Sequence, residues 1–297
     1  MIQNSTIGTA AERCLDLPSG ASLRVSGFPV VMGIVNCTDD SFYPASRSFQ
    51  DGAVEAASRM EAEGAEVVDF GGESSRPGAH YVGEEEELRR LIPVIQAFRR
   101  RSSLPISVDT RKASVARSAL DAGADIINDI SALTDDPSLG LLCAERNAPV
   151  VLMHKKGNPE NMQRDPFYGD VVSEVRAFLQ DAVLRAKRSG VTDDRIILDP
   201  GIGFGKRLED NLDLIAHLEE IKSLGYPILI GLSRKSFVGQ LTGQTVEHRL
   251  AGTLGATVVA LATGASIFRV HDPRSTLDAL RVAFPLLERV TVQPKDR

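Results

Sequence analysis

The chain has 297 residues, of which 42% are hydrophobic and 25% charged, a balance typical of soluble globular proteins and far from disordered, collagen-like or membrane compositions. A formal charge of -6 and a pI near 5.5 argue against nucleic-acid binding by bulk electrostatics, which needs a basic stripe. Three scattered cysteines, Cys14, Cys37 and Cys143, form neither a disulfide framework nor a metal cluster; with no secretory apolar core at the start and no window of about 18 apolar residues, a cytoplasmic protein without membrane contact is expected.

Residues 1–27 precede any repeating pattern and are expected to cover one end of the fold. Beyond them, short β-branched runs alternate with segments of helical period, the pattern of a parallel sheet joined by helices. Eight strands are predicted, at 30–36, 66–70, 105–109, 125–128, 149–153, 195–199, 227–232 and 266–270. Helices are predicted between them, among others at 52–63, 84–101 and 171–189. In the second, Leu88, Leu91, Ile92 and Ile95 share one face by their i, i+3, i+4, i+7 spacing. Glu84 to Glu87 at its start complement the helix dipole and read as a solvated face. Gly64, Gly123 and Gly264 each end a helix immediately before a strand, as C-terminal caps do. Eight βα units without a linker predict one α/β domain over 28–297, a single (β/α)8 TIM barrel whose bottom is covered by the N-terminal extension 1–27. A doubly wound open sheet is the alternative.

Polar residues stand at the carboxyl end of every predicted strand: Asn36, then Asp69 and Glu73, Asp109, Asn128 with Asp129, His154, Asp199, Ser233 with Arg234 and Lys235, and Arg269 with His271. Barrel active sites occupy that rim. A lone aspartate at a strand end is usually a helix cap, but a full ring of polar strand ends is hard to assign to capping. Asp109, Asn128 and Asp199 with Lys235 suit a flat, nitrogen-rich heterocycle with an exocyclic amine. Arg269 and His271 share a face by the period of two and, with Arg76 and Arg234, suit a phosphate or pyrophosphate. A magnesium ion held mostly by substrate phosphate and water needs one or two protein oxygens, and Asn36 can supply one.

Other features read more plainly. Met153 is either core or ligand contact, and His217 and His248 read as surface residues. Cys37 lacks a base at suitable spacing, which argues against nucleophilic catalysis. The glycine-rich run Gly201 to Lys206 lacks both the Walker spacing and the GxGxxG register. The polar segments 38–47 and 71–78 are either mobile substrate loops or solvated turns.

The segments Met32-Gly33-Ile34-Val35-Asn36, Asp40-Ser41-Phe42, Gly71-Gly72-Glu73-Ser74-Ser75-Arg76-Pro77-Gly78, Ser107-Val108-Asp109-Thr110, Asn128-Asp129, Asp199-Pro200-Gly201, Ser233-Arg234-Lys235 and Arg269-Val270-His271 occur in the order, and over the span 30–286, that resembles the dihydropteroate synthase family of pterin-binding barrels. The resemblance implies a folate-pathway transferase joining 7,8-dihydropterin-6-ylmethyl diphosphate to 4-aminobenzoate with release of pyrophosphate, inhibited by sulfonamides that mimic aminobenzoate. It implies that Asp109, Asn128, Asp199 and Lys235 hold the pterin, with Met153 packed on its ring. Asn36, Arg269 and His271 would meet the diphosphate and Mg2+, and Ser75 would contact substrate. Loops bearing Asp40, Phe42, Arg76 and Pro77 would close and, with Ser233, shape the aminobenzoate pocket; Asp40, Arg76, Lys235, Arg269 and His271 make up the implied catalytic set. A homodimer through the last helices is implied too, and the apolar stretch 254–261 is compatible with it. Two departures stand out. Ser75 replaces the family's usual threonine, and the first loop has Asp39 in place of proline and no Asp-Gly-Gly run after Phe42. The alternatives are a pterin-binding methyltransferase and a non-catalytic pterin-binding barrel; Arg269, His271 and the Ser233-Arg234-Lys235 run favour the synthase over the methyltransferase, which needs no diphosphate site.

Overall fold

The computed structural model describes residues 13–37, 46–74, 78–157 and 162–291. An antiparallel hairpin, β1 (Cys14–Asp16) with β2 (Ser22–Arg24), precedes β3 (Val30–Asn36), α1 (Ser46–Ala62), β4 (Val67–Gly71), α2 (Glu84–Arg99), β5 (Ile106–Asp109), α3 (Ala113–Asp121) and β6 (Ile126–Asp129). The chain continues through α4 (Ser138–Glu145), β7 (Val150–Met153), α5 (Val171–Arg188), β8 (Ile196–Asp199), α6 (Leu208–Ala216), α7 (Leu218–Lys222), β9 (Leu229–Ile230), α8 (Ser236–Thr242), α9 (Leu250–Thr263), β10 (Ile267–Val270) and α10 (Pro273–Thr291). The eight strands β3 to β10 are all parallel, in the order β8-β7-β6-β5-β4-β3-β10-β9. A bridge from Leu198 to Ile228 joins the two ends, so the sheet closes into a (β/α)8 barrel and the open-sheet alternative is excluded.

Side-chain alternation along these short strands sorts the residues into two cores. Val31, Val68, Phe70, Ile106, Val108, Ile127, Val150, Leu152, Ile196, Leu198 and Phe268 point outward and pack under the helices. Val30, Met32, Val67, Ile126, Val151, Ile197, Leu229 and Ile267 point inward and fill the lower barrel, where Leu15, Leu17, Leu23 and Val25 of the hairpin segment pack against them. The described part of the N-terminal segment therefore closes the barrel bottom. Arg13 ties it down by donating to the carbonyls of Gly225 and Asp193, both at 2.6 Å.

Gly64, Gly123 and Gly264 have φ of +94, +107 and +117°, the left-handed closure expected before each strand. The strand predicted at 227–232 shrinks to Leu229–Ile230: Pro227 has no N–H to donate, although its carbonyl accepts from Leu198. One reading of the sequence is overturned. Glu84 to Glu86 are exposed or half-buried, but Glu87 is fully buried and pairs with Lys112 at 2.5 Å. The turn of α2 that faces the barrel, not the dipole alone, sets its surroundings.

Candidate functional site

On four of the strands the inward row turns polar two residues beyond its apolar side chain. Val67 is followed by Asp69, Ile126 by Asn128, Ile197 by Asp199 and Ile267 by Arg269, while Val151 is followed by Met153. The period of two thus carries one side chain per strand from the apolar floor to the upper barrel, and buried charge there must find partners.

Arg269 is the hub. Its Nε donates to Asp69 Oδ2 at 2.6 Å and its Nη2 to Asp109 Oδ2 at 3.1 Å. Asp69 also accepts from Ser107 Oγ at 2.6 Å and Asn128 Nδ2 at 3.3 Å. Burial pushes the Asp109 carboxyl up; Arg269 opposes this, and Asp69, Glu87 and Glu73 add to it. For Arg269 burial disfavours the cation, but Asp69 and Asp109 outweigh it and hold the guanidinium charged.

Asp199 and Lys235 form the second half. Asp199 Oδ1 accepts from the Gly201 amide at 2.7 Å; burial raises its carboxyl while Lys235 lowers it. Lys235 Nζ donates to the Ile202 carbonyl and lies 4.9 Å from the Phe204 ring centroid. Burial brings its ammonium down to about 8, Asp199 opposing and Arg269 assisting. The loop between them, 201–205, needs its glycines. A Cβ at Gly201 would stand 1.8 Å from the His154 carbonyl oxygen and one at Gly205 2.1 Å from that of Lys156, and both have positive φ.

Ser233 Oγ accepts from the His271 amide at 3.2 Å and lies 3.0 Å from His271 Nδ1, which joins the ends of β9 and β10 at the rim. Asn36 is half-buried at the end of β3, in register with Gly71. Met153 is buried, in register with Asp199. Asp40, Phe42, Ser75, Arg76 and Pro77 lie outside the described residues.

Three rim readings change. His154 turns away from the barrel mouth: it is buried, its Nδ1 is 2.9 Å from Lys206 Nζ, and its ring meets Phe178 edge-on at 4.8 Å. Burial, with Lys206 and Lys156 nearby, holds its imidazole down to about 2 and so neutral. Asp129 points outward and accepts from the amides of Ser131 and Leu133. Arg234 forms a two-pronged pair with Asp272, at 3.0 and 2.7 Å, instead of adding to the anion site. Cys37 is buried, which pushes its thiol up to about 12 and leaves it protonated.

Several residues have partners that their place in the sequence does not reveal. Asp69 appeared only as a strand end, yet it grips Arg269; its place two residues beyond Val67 is the signal that exposes it. Glu73 accepts from Arg111 at 2.7 Å and Lys112 at 2.6 Å, anchoring the start of the 71–78 loop to β5 and α3. Phe204 and Lys206 lay in a segment weighed only as a nucleotide motif.

The model for pterin binding enzymes matches residues 32–271. The dihydropteroate synthase of Synechocystis sp. is 46% identical over 255 residues, which is 85% of this chain and 88% of that protein. A solved Xanthomonas albilineans dihydropteroate synthase with 4-aminobenzoic acid superposes with a TM-score of 0.87 at 44% identity, covering 95% of this chain and all of that one. Another from the same organism, in complex with 7,8-dihydropteroate, gives 0.82 at 41% identity, again over 95% and 100%.

Proposed function

The chain belongs to the dihydropteroate synthase family of pterin-binding enzymes, catalysing pterinylmethyl transfer in folate biosynthesis with release of pyrophosphate, and from that premise we propose how its residues divide the work. The single observation that carries the assignment is the Asp69–Arg269–Asp109 triad facing Asp199 and Lys235 across one barrel mouth. Asp109 and Asp199 accept from the amino and ring N–H groups of the pterin; Asn128 and Lys235 donate to its ring acceptors, and Met153 packs on its face. Arg269 and His271 meet the diphosphate, Ser233 holding the imidazole in place. As the C–O bond lengthens, negative charge grows on the leaving diphosphate and positive charge on the methylene carbon, which the electron-rich pterin ring delocalises. Arg269 and His271 are matched to that growing charge. The amine of 4-aminobenzoate then captures the methylene carbon and loses a proton, with no enzyme nucleophile involved. The aminobenzoate side is assigned to Asp40, Phe42, Arg76 and Pro77 together with Ser233, and a further substrate contact to Ser75.

Among the described residues no group of three or more His, Cys, Asp or Glu side chains could hold a metal ion, whereas Asn36, half-buried at the end of β3, carries a neutral amide oxygen. One neutral oxygen fits a Mg2+ whose other ligands are diphosphate and water. With such an ion bound there, Asn36 would be its protein ligand, and the chemistry supplied would be positive charge to offset that of the leaving diphosphate.

We also infer a homodimer, supported by the apolar groove of about 430 Å³ that Leu212, Ile215, Phe237, Leu241, Ala256 and Val259 line along α6, α8 and α9. Light scattering should give twice the 32.0 kDa of one chain; a monomer mass at micromolar concentration would refute it. A reducing, cytoplasmic setting is supported by the three free thiols. No helix among the described residues is long and apolar enough to cross a membrane.

The free-enzyme pKa directions predict the pH profile of kcat/KM for the pterin diphosphate. Activity needs Asp109 ionised and Lys235 protonated. The acid limb should therefore lie above the ordinary carboxylate range and the basic limb near 8. A profile flat from pH 5 to 10 would detach these groups from pterin binding. The function itself is tested with purified protein, Mg2+ and both substrates, which should yield dihydropteroate; binding of the diphosphate without product would leave only a pterin-binding barrel.

A further inference from the structure

Loop 201–205, between Asp199 and α6, has every carbonyl oxygen met by a side-chain donor. Gly201 O and Phe204 O accept from Lys206 Nζ at 2.9 and 3.2 Å, and Ile202 O accepts from Lys235 Nζ. Gly203 O accepts from Gln163 Nε2 at 2.6 Å and Gly205 O from the Tyr168 hydroxyl at 2.8 Å. The amides are held too: Gly201 N donates to Asp199 and Gly203 N to Asn211 Oδ1 at 2.6 Å.

Lys206 is the unusual member. It is 3% exposed, and its hydrogen-bond partners are two carbonyls and the neutral His154 nitrogen rather than a carboxylate. Burying an ammonium in this way is costly, and packing alone would be served as well by an apolar side chain of the same length. What only an ammonium supplies is three donors at one point, here tying both ends of the Gly201–Phe204 turn to the end of β7. The same turn surrounds Lys235: its Ile202 carbonyl accepts from Nζ, its Phe204 ring lies below Nζ, and a Cβ at Gly203 would stand 3.4 Å from Lys235 Cδ.

We propose that Lys206 is a positioning residue for the reaction: by pinning the 201–205 turn to His154 it sets the place of Lys235 and Phe204 at the barrel mouth. The proposal rests on the assignment of Lys235 to the pterin. Beside that geometry, burial brings the Lys206 ammonium down to about 7, with Asp199 and Asp210 opposing and Lys235 and Lys156 assisting.

A double-variant cycle on the full chain tests this, with kcat and KM for both substrates and a thermal melt for each variant. Lys206→Met should lower kcat/KM for the pterin diphosphate about 30-fold. The double variant with Lys235→Met should be within about threefold of Lys235→Met alone, because residues that act as a unit are non-additive. Multiplying losses, or wild-type kinetics in Lys206→Met, would overturn the proposal. Should Lys206→Met fail to fold, Tyr168→Phe removes only the donor to Gly205 O; its loss should be smaller and should likewise vanish in the Lys235→Met background, and a loss that multiplies, or no loss at all, would overturn the proposal. Wild-type protein assayed alongside separates the two failures: no dihydropteroate from it would remove the functional reading, whereas a normal wild type with multiplying losses would remove only the role of Lys206.

Discussion

Asp109→Ala abolishes binding of the pterin diphosphate in titration calorimetry. Charge-assisted hydrogen bonds contribute about 1.5–3 kcal/mol each, and a carboxylate meeting two adjacent N–H groups makes two of them, so the loss exceeds about 100-fold in affinity. The structure also says why unfolding would not be the cause. With Asp109 gone, Arg269 retains Asp69 at 2.6 Å, so the cation keeps a partner and one of two competing carboxylates is removed. The melting temperature should stay close to that of the wild type. Asp109→Asn keeps the volume and one acceptor and should recover part of the affinity. Near-normal affinity in the alanine variant would place the pterin elsewhere.

Arg269→Ala has two separable consequences. Removing a donor aimed at developing negative charge costs on the order of 10³ in kcat, here at the leaving diphosphate. The second consequence is on stability, because Asp69 and Asp109 would then lie buried without their shared cation; breaking a buried pair costs about 3–5 kcal/mol. The pH dependence has a definite sign. Without Arg269 the folded-state pKa of Asp109, already raised by burial, rises further above its unfolded value. The folded state then binds more protons than the unfolded one, so stability falls as pH rises through the folded pKa and is regained toward the unfolded carboxylate range. Because burial already brings the wild-type Asp109 carboxyl to about 7, melting curves from pH 6 to 9 should show a deficit against wild type that is constant below about 7 and grows with pH above it. A deficit independent of pH would mean that the arginine stabilises by packing alone.

These expectations draw on a site that was partly legible in the chain. Asp109, Asn128, Asp199 and Arg269 could be read because each stands at the carboxyl end of a short apolar strand, and the barrel brings all strand ends to one rim. The alternation of two also placed them inside, Asp109 above Ser107 and the others above Ile126, Ile197 and Ile267. Pairings across the barrel were not legible. Arg269 and Asp69 are 200 residues apart, and nothing local distinguishes an arginine awaiting a phosphate from one clasped by two acids. Burial of charge was likewise hidden. Glu87 belongs to a run of four glutamates that reads as solvated, yet it alone faces the barrel and meets Lys112. His154 stands at a strand end like the others but turns to meet Lys206, and Lys206 sits in a glycine-rich run whose role appears only once Gly201 and Gly205 are seen against the carbonyls of His154 and Lys156. In each case the deciding fact is a close approach between distant segments, which periodicity does not encode.

This barrel mouth couples cleavage of the pterinylmethyl C–O bond to capture by 4-aminobenzoate. Continuous measurement of pyrophosphate release, with each substrate omitted in turn and Mg2+ present, tests it most directly. Release should occur only with the pterin diphosphate present, at its full rate only when 4-aminobenzoate is added, and in one-to-one proportion to dihydropteroate. No release with both substrates present, or an unchanged rate without 4-aminobenzoate, would contradict it.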